Sequence, residues 1–168
     1  MKKEMRRSDR QLTQEEVIAI LENGRYGILS TTCDDGYPYG VPMSYAYADG
    51  KIYFHHTNEE SLLGSNISDS TEDTGGAGAA GGGTKACFTV VGGTELLSAK
   101  FSTVYESAVA FGTIRRMEDK VAGLMQIVSH LSPDYMEAGR KYAESSASKV
   151  DVYEFTIEQI TGKARKNR

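Results

Sequence analysis

The chain has 168 residues, enough for one domain that builds a core without disulfides or structural metals. Its formal net charge of −4 lacks the basic excess that nucleic-acid binding needs, so we expect no nucleic-acid partner. No apolar run approaches the ~18 residues of a membrane span, and the basic start over 1–10 leads into no apolar signal segment. We therefore expect a cytoplasmic protein with no membrane partner. Cys33 and Cys87 are too few for a disulfide framework and are predicted to be buried thiols.

The first predicted elements are a helix and a strand. Thr13-Gln14-Glu15-Glu16 is a capping box at the start of an apolar helical pattern, which Gly24 ends. Residues 26–33 are β-prone, and Asp34-Asp35-Gly36 is a turn signal that closes the strand.

The next segment predicts a β-hairpin. Residues 37–48 read as one continuous second strand with tyrosines at period two, which favours barrel packing. Pro38 and Pro42 lack a backbone N–H, so this strand is expected at a sheet edge or a bulge. Asp49-Gly50 predicts a two-residue turn into a third strand over 51–57.

A low-complexity segment interrupts the pattern. Residues 60–67 can hold one helical turn, and six of the 18 glycines then lie within 75–83. This composition cannot bury enough apolar surface to offset its ordering entropy. We therefore predict a Ser/Asp/Gly-rich loop over 60–84, inserted within a single domain over 1–168.

The apolar spacing resumes downstream of this loop. In chain order it predicts a strand over 85–91, a Gly92-Gly93 turn, a strand over 107–117, a helix over 119–131, a second helix opened by Ser132-Pro133, a strand over 149–160 and a solvated basic tail over 163–168. Six strands with short turns favour a mainly β antiparallel barrel, with an N-terminal helix and a helical pair before the last strand.

His55 and His56, at the end of the third strand, are the candidates for proton chemistry. Adjacent strand residues point to opposite faces, so one histidine can face a cleft while the other packs. His130, in the last turn of a helix, is predicted to be structural. The histidines and cysteines show no metal-ligand spacing, so no metal site is predicted.

Several motifs point to one family. The most specific, taken together, are Gly36-Tyr37-Pro38-Tyr39-Gly40 and Asp49-Gly50-Lys51-Ile52-Tyr53-Phe54-His55. Shorter ones are Met5-Arg6-Arg7, Cys87-Phe88-Thr89-Val90, Ala110-Phe111-Gly112 and Ile160-Thr161-Gly162-Lys163. They resemble the flavin split-barrel group around pyridoxamine 5′-phosphate oxidase, nearest its 5-nitroimidazole reductase type, over residues 5–59 and 85–166.

The resemblance implies a six-stranded antiparallel split β-barrel of the FMN-binding type. It implies a homodimer with FMN in clefts between the subunits, and a small-molecule substrate. The residues it assigns to cofactor binding are Pro42, Met43 and Ser44 along the isoalloxazine and His56, Thr57, Asn58 and Ser61 near the ribityl chain and phosphate.

The resemblance also implies an active histidine at the end of the third strand. Counting from the Asp-Gly turn assigns it to His55, and counting from Thr57-Asn58 assigns it to His56. Both remain candidates, and we favour His56 because the phosphate loop sets the register on that side.

One feature departs from the family pattern. The family has basic phosphate ligands where this chain has Leu62 and Leu63, and no Lys or Arg occurs over 52–84. A phosphate dianion prefers cations or helix N-termini. The remaining candidates are backbone N–H groups near Ser61 and four cations from either subunit, which are Arg25, Lys100, Arg115 and Arg116. The long crossing from Ser68 to Thr84 leaves three explanations open: a flexible insertion, an altered ligand, or a damaged or engineered segment.

Two functions follow, from different classes. The first is an FMN-dependent oxidoreductase that reduces small electron-poor substrates such as nitroaromatics, with His56 or His55 as proton source or substrate guide. The alternative is a non-catalytic flavin or small-ligand binding protein with a degraded phosphate site. A pyridoxamine-phosphate oxidase activity is disfavoured, because the chain has no Trp to match that enzyme's substrate-binding residues.

Overall fold

The computed structural model describes residues 5–67 and 83–166, so most of the predicted 60–84 loop lies outside the described residues. The strands are β1 (Tyr26–Thr32), β2 (Pro38–Ser44), β3 (Ala46–Ala48), β4 (Lys51–Thr57), β5 (Thr84–Leu97), β6 (Ser102–Arg116) and β7 (Val150–Arg165). The α-helices are α1 (Gln14–Asn23), α2 (Leu62–Asn66), α3 (Lys120–Leu131) and α4 (Met136–Ser146). A mainly β antiparallel architecture with an N-terminal helix and a helical pair is confirmed, but the described chain has seven strands instead of six.

Helix α1 begins and ends at the residues that the sequence predicts. Thr13 Oγ1 accepts a hydrogen bond from the backbone N–H of Glu16, and the Glu16 carboxylate accepts one from the backbone N–H of Thr13. Gly24 is the residue at which the helix ends. One face of the helix, with Val17 and Leu21, is buried in the core. The capping box therefore sets the start of a helix that covers the sheet.

The predicted second strand over 37–48 is wrong as a single element. Its first half, β2, pairs with β1, whereas its second half, β3, pairs with β4. The hydrogen-bonded order is β2-β1-β5-β6-β7-β4-β3, so these two halves form opposite edges of one sheet. Tyr45 alone separates them in the chain, and the sheet must therefore curve until its edges meet at this residue.

Tyr45 occupies this seam. Its side chain is fully buried, and its hydroxyl donates a hydrogen bond of 2.7 Å to the carbonyl of Leu21. Its ring meets Phe88 edge-on at 5.1 Å, and burial raises the pKa of the hydroxyl far above its usual range. Since a buried hydroxyl is costly without a partner, the bond to α1 holds the turning point of the chain in place.

Turn chemistry is confirmed at one site and wrong at another. Asp49 and Gly50 have φ angles of 51° and 75°, as a two-residue hairpin turn requires. The Gly92-Gly93 pair does not turn. It lies within β5, where the pairing with β6 shifts register between Val91 and Thr94, so the two glycines accommodate a bulge inside a long hairpin.

The last strand is longer than predicted. The supposed basic tail over 163–168 is wrong in its first part, because β7 extends to Arg165 and Ala164 is only 8% exposed. Pairing with β6 passes from Gln159 to Ile157, leaving Glu158 as an extra residue. This bulge is the reason for the imperfect alternation in the sequence of the strand.

Apolar side chains form two layers, one on each face of β4. Ile52 and Phe54 belong to the inner core with α1, and Tyr53 belongs to an outer cluster beneath α3 and α4. The helical pair therefore covers the same strand that carries the two histidines. Within the described ranges, no helix is long and apolar enough to cross a membrane.

Candidate functional site

The end of β4 presents two adjacent histidines to opposite sides of the sheet. His56 pairs with Asp151 of β7, and His55 pairs with Val152. Because directly opposed residues of antiparallel strands share a face, His56 lies on the inner face with Asp151 and Tyr153. His55 lies on the outer face with Val152, which belongs to the cluster beneath the helical pair.

His56 is stacked on a buried tyrosine. Its ring is 6° from parallel to that of Tyr153, with centroids 5.3 Å apart, and its Nε2 lies 3.1 Å from the tyrosine hydroxyl. Tyr153 is fully buried and also stacks on Phe54 at 5.4 Å. Burial lowers the pKa of His56, and the nearby Asp151 carboxylate only partly opposes this. His56 is therefore a neutral imidazole at pH 7, with one nitrogen directed to Tyr153.

A charged cluster adjoins this histidine. Asp151 is 7% exposed, and its two carboxylate oxygens accept bonds of 3.0 Å from Arg116 Nη1 and Lys120 Nζ. The guanidinium carbon of Arg116 also lies 5.8 Å from the centroid of the Tyr153 ring. Two cations thus share one buried carboxylate beside His56.

His55 has a different environment. Its Nδ1 is the one buried side-chain polar atom that lacks a hydrogen-bond partner in the described part of the chain. Burial, followed by the charge on His56, lowers the pKa of His55. Since an unsatisfied buried polar group costs about 1–3 kcal/mol, a ligand that brought a hydrogen-bond partner would be favoured here.

The Thr-Asn-x-x-Ser segment is held by its own side chains. Thr57 Oγ1 accepts from the backbone N–H of Glu59 at 3.2 Å, and Ser61 Oγ accepts from that of Gly64 at 3.1 Å. The Asn58 amide donates to the carbonyl of Ser148 at 2.9 Å. A hydroxyl that accepts one bond keeps its O–H, so Thr57 and Ser61 can still donate to an anion.

Helix α2 ties this segment to the barrel. Asn66 donates to Thr31 Oγ1 at 3.0 Å, and Leu63 is buried in the inner core. Gly64 faces His56, where a Cβ would lie 3.5 Å from the ring carbon Cε1. The two leucines at the family's basic positions therefore have different environments, because Leu63 is buried in the inner core whereas Leu62 is 52% exposed.

The residues predicted to line the flavin ring lie on both faces of β2. Met43 is buried in the core, whereas Pro42 and Ser44 are exposed on the outer face. Beyond the last residue pair of β3 and β4, the chain that continues into β2 separates from β4, because β2 pairs with β1. This separation leaves a split in the sheet. Ser44 and His55 each lie two residues past the last pair, on opposite sides of the split.

Of the four candidate phosphate-binding cations, the structure brings one to His56. Arg116 shares its face, while the preceding residue of β6, Arg115, points to the other side of the sheet. Arg25 lines a cavity of about 580 Å³ beside α1, and Lys100 lines another of about 460 Å³ beside the N-terminal segment.

The remaining candidates have structural surroundings. His130 donates through Nε2 to the carbonyl of Gly24 at 3.2 Å, which agrees with its predicted structural role. Cys33 and Cys87 are free and half-buried, and burial raises the pKa of Cys87. Among residues 5–67 and 83–166, no three His, Cys, Asp or Glu side chains are grouped to hold a metal ion.

Asp151, Tyr153 and Lys120 are not among the site residues predicted from the sequence. The sequence does mark Asp151 as unusual, because a charged residue interrupts the apolar run between Val150 and Val152. The residue opposite Asp151 depends on the register between β4 and β7, which are far apart in the chain, so the signal could not be assigned to His56.

Solved structures share this fold. A protein from Bacteroides thetaiotaomicron proposed to give 5-nitroimidazole antibiotic resistance is 23% identical, with a TM-score of 0.68 over 92% of this chain and 86% of that one. The flavocytochrome Anf3 from Azotobacter vinelandii is 19% identical, with a TM-score of 0.75 over 98% and 73%. An FAD-binding protein from Mesorhizobium loti is 19% identical, with a TM-score of 0.59 over 94% and 98%.

At these identities the likeness establishes a common fold. No curated protein matches the sequence. The family model for pyridoxamine 5′-phosphate oxidase matches residues 13–164, which include every strand but the last residue of β7 and all the candidate site residues. The chain therefore belongs to the pyridoxamine 5′-phosphate oxidase family.

Proposed function

We propose that the protein is an FMN-dependent reductase that acts as a homodimer on small electron-poor substrates such as nitroaromatic compounds. Bound flavin would supply the electron-transfer chemistry. The chain's own residues would bind the cofactor, orient the substrate and hold a proton. Support comes from the family, and from structural neighbours described as FAD-binding and as a 5-nitroimidazole resistance protein.

The observation that carries this proposal is the cluster of Arg116, Asp151 and His56 at the end of β4. It supplies a cation on the face of His56, the residue of β4 that precedes Thr57-Asn58, although the family's basic positions hold leucines. The Arg116 guanidinium is braced by Asp151 at 3.0 Å, and a braced fork suits a phosphate group. The donor set at this end of the barrel, with the hydroxyls of Thr57 and Ser61, fits the phosphate of FMN.

The flavin ring fits the other part of the site. Pro42 and Ser44 are exposed beside the split, and the unpartnered Nδ1 of His55 lies past the same split. An isoalloxazine has carbonyl and nitrogen groups that can satisfy such an atom. Exposed Ser44 and the half-buried His55 would then hold the ring edge, and Pro42 would pack against its face.

The two histidines would have separate tasks. His56 is neutral, stacked and fixed by the Tyr153 hydroxyl, so it would position the substrate or pass a proton through its ring nitrogens. His55 would accept or donate one hydrogen bond at the ring.

A dimer suits the exposed apolar surface of the sheet. Tyr26 and Ile28 of β1 are 59% and 42% exposed, and Val91 of β5 is 55% exposed. Ile28 pairs with Thr89, so these side chains lie close to one another across two strands. Two copies that meet here would cover this surface and bring the outer face of β2 to a shared cleft.

Light scattering tests the dimer. The wild type should give twice the chain mass, and Ile28→Glu should give a monomer. A wild-type monomer would exclude the shared cleft.

The first experiment is flavin uptake. Purified protein is mixed with FMN, with FAD or with riboflavin, desalted, and its visible spectrum recorded. The proposal expects one flavin retained per chain, with FMN held more tightly than riboflavin. Protein that retains no flavin would overturn the proposal, and preference for FAD would replace FMN as the cofactor.

The second experiment tests reduction in a single turnover. The flavin-loaded protein is photoreduced without oxygen and mixed with a 5-nitroimidazole, and reoxidation of the flavin is followed by its absorbance. We expect reoxidation faster than for free reduced FMN. His56→Gln should slow it by about a hundredfold, the lower end of what one proton-transfer group contributes. His55→Gln is the matched control on the opposite face, and equal rates in all three proteins would remove both histidines from the mechanism.

The second candidate function is a flavin or small-ligand binding protein without catalysis. It is favoured by Leu62 and Leu63, and by the engagement of Thr57, Asn58 and Ser61 in internal hydrogen bonds. The same measurement separates the two functions. Stable flavin binding with reoxidation no faster than that of free reduced FMN would favour the binding protein.

A further inference from the structure

A second site lies at the opposite end of the long strands. A cavity of about 460 Å³ opens where the N-terminal segment crosses the end of β7 and the β5–β6 hairpin. Tyr105, beside it, and Arg116 are 11 residues apart on β6, which is roughly 35 Å of strand at ~3.3 Å per residue. Within one copy, the cavity is therefore separate from the site proposed for the flavin.

The cavity is strongly basic in a chain whose net charge is −4. Five cationic side chains and two carboxylates line it. The cations are Arg7, Arg10, Lys100, Arg165 and Lys166, and the carboxylates are Asp9 and Glu16. Like charges repel, so gathering them in one concave surface needs a compensating anion.

Both carboxylates are already engaged. Asp9 accepts two bonds from the Arg7 guanidinium, at 2.8 and 2.6 Å, and Glu16 accepts one from Lys166 at 2.9 Å. Each pair cancels its own charge, so neither carboxylate is left to balance the other cations of the cavity.

Arg10 and Arg165 are the uncompensated pair. Both are half-buried, and within the described ranges neither contacts a carboxylate. Arg10 donates to the neutral hydroxyl of Tyr105 at 3.3 Å, and Arg165 pairs with Tyr105 across the β6–β7 ladder. Two guanidinium groups are thus held near one tyrosine.

Tyr105 reports the local positive potential. The ammonium of Lys163 lies 5.9 Å from the centroid of its ring. The hydrogen bond from Arg10 is the largest influence and lowers the pKa of the Tyr105 hydroxyl; burial opposes it, and a hydrogen bond from Lys163 adds to the lowering. The surroundings therefore favour negative charge at this point.

We infer that this cavity binds a small molecule through a phosphate group held between Arg10 and Arg165. Two guanidinium forks match the charge and the several acceptor oxygens of a phosphate better than a single carboxylate. A volume of about 460 Å³ suits a ligand of nucleotide size, and Leu12 and Leu97 offer apolar contact for its uncharged part.

Calorimetric titration of the purified chain with ADP, inorganic pyrophosphate and adenosine tests this inference. ADP and pyrophosphate should bind competitively, adenosine at least tenfold more weakly than ADP, and binding of both anions should weaken as salt is raised. Arg165→Gln and Arg10→Gln should each weaken ADP binding by at least tenfold, since each removes a charge-assisted bond. Arg140→Gln, an exposed arginine on α4, is the matched control and should bind as wild type.

Three results would each overturn the inference. They are binding of neither anion, equal binding of adenosine and ADP, and wild-type affinity in both Arg10→Gln and Arg165→Gln. If either variant fails to give the wild-type circular dichroism spectrum, the lysine substitution at the same position replaces it, with a smaller expected loss, because lysine keeps the charge but lacks the guanidinium fork. Flavin retention measured on the same samples should not change, because this site does not depend on the proposed flavin site.

Discussion

His55 and His56 are neighbours in the chain, yet the two faces of β4 treat them differently. On the inner face, His56 has a stacked tyrosine, a hydroxyl partner and a charged cluster held by Asp151. On the outer face, His55 lies opposite Val152, which belongs to the apolar cluster beneath the helical pair, and its Nδ1 has no hydrogen-bond partner in the described part of the chain. His56 already has a hydrogen-bond partner on the inner face, whereas His55 has a ring nitrogen left for a ligand on the outer face.

This contrast teaches where rigidity and binding reside in the site. A satisfied network fixes the orientation of a side chain, since each member restricts the next. An unsatisfied group at the edge of a split offers free energy to whatever binds there. Substitutions on the two faces should therefore separate effects on stability from effects on ligand binding.

The largest expected effect comes from the carboxylate of the inner face. Asp151→Ala removes the buried carboxylate that Arg116 and Lys120 share. The free energy of unfolding should fall by about 3 kcal/mol, as for loss of one partner in a buried ion pair. Urea denaturation measures it.

Glu137→Ala is the matched control, since this carboxylate holds Lys141 at 2.9 Å but is 89% exposed. An exposed pair contributes about 1 kcal/mol or less. Equal losses in the two variants would show that burial of Asp151 does not determine the strength of the cluster.

The next effect concerns the cofactor phosphate. Arg116→Ala should weaken FMN binding by about tenfold or more, because a hydrogen bond to a charged group contributes about 1.5–3 kcal/mol. Riboflavin, which lacks the phosphate, should bind both proteins alike. Arg115→Ala, on the opposite face of the same strand, should leave both affinities unchanged. A parallel loss of FMN and riboflavin binding would show that Arg116 supports the fold and does not bind the phosphate. Fluorescence titration of the wild type and the two variants with FMN and with riboflavin gives the six dissociation constants.

A smaller effect is expected from the hydroxyl that meets His56. Tyr153→Phe keeps the stacked ring and removes the hydrogen bond to His56, so the free energy of unfolding should fall by about 1 kcal/mol. Tyr47→Phe is the control, because the Tyr47 hydroxyl makes no hydrogen bond within residues 5–67 and 83–166. If Tyr153→Phe is as stable as Tyr47→Phe, the contact with His56 contributes nothing to stability.

The smallest effect is a pH dependence from the outer face. Burial lowers the pKa of His55 below its ordinary 6.5, so below that pH the unfolded chain takes up a proton more readily than the folded one. Stability should therefore fall as the pH drops from about 7.5 to about 5.5. In His55→Gln the fall should be shallower, since glutamine does not titrate. Denaturation curves at the two pH values measure the difference, and identical slopes would contradict the burial of His55.

Local signals predicted much of the fold. The Thr13–Glu16 capping box, the Asp49-Gly50 turn and the period of residues 119–131 each act over a few residues, and the structure has the corresponding helix, turn and helix. The opposite faces of His55 and His56 follow from strand alternation alone. The candidate site was located to the end of one strand by the same reasoning.

The remaining features depend on pairing between distant segments. Residues 37–48 look like one strand because alternation continues through Tyr45, but their hydrogen-bond partners lie at opposite edges of the sheet. The Gly92-Gly93 pair resembles a turn, yet a bulge takes up the same backbone freedom.

By itself, the sequence determined a mainly β domain of a recognisable family, with two histidines at the end of a strand and no cation at the usual phosphate positions. Only the tertiary structure decided that Arg116 and Asp151 stand beside His56. Strand register is set by contacts between residues about a hundred positions apart, and a local pattern cannot report which side chains such contacts bring together.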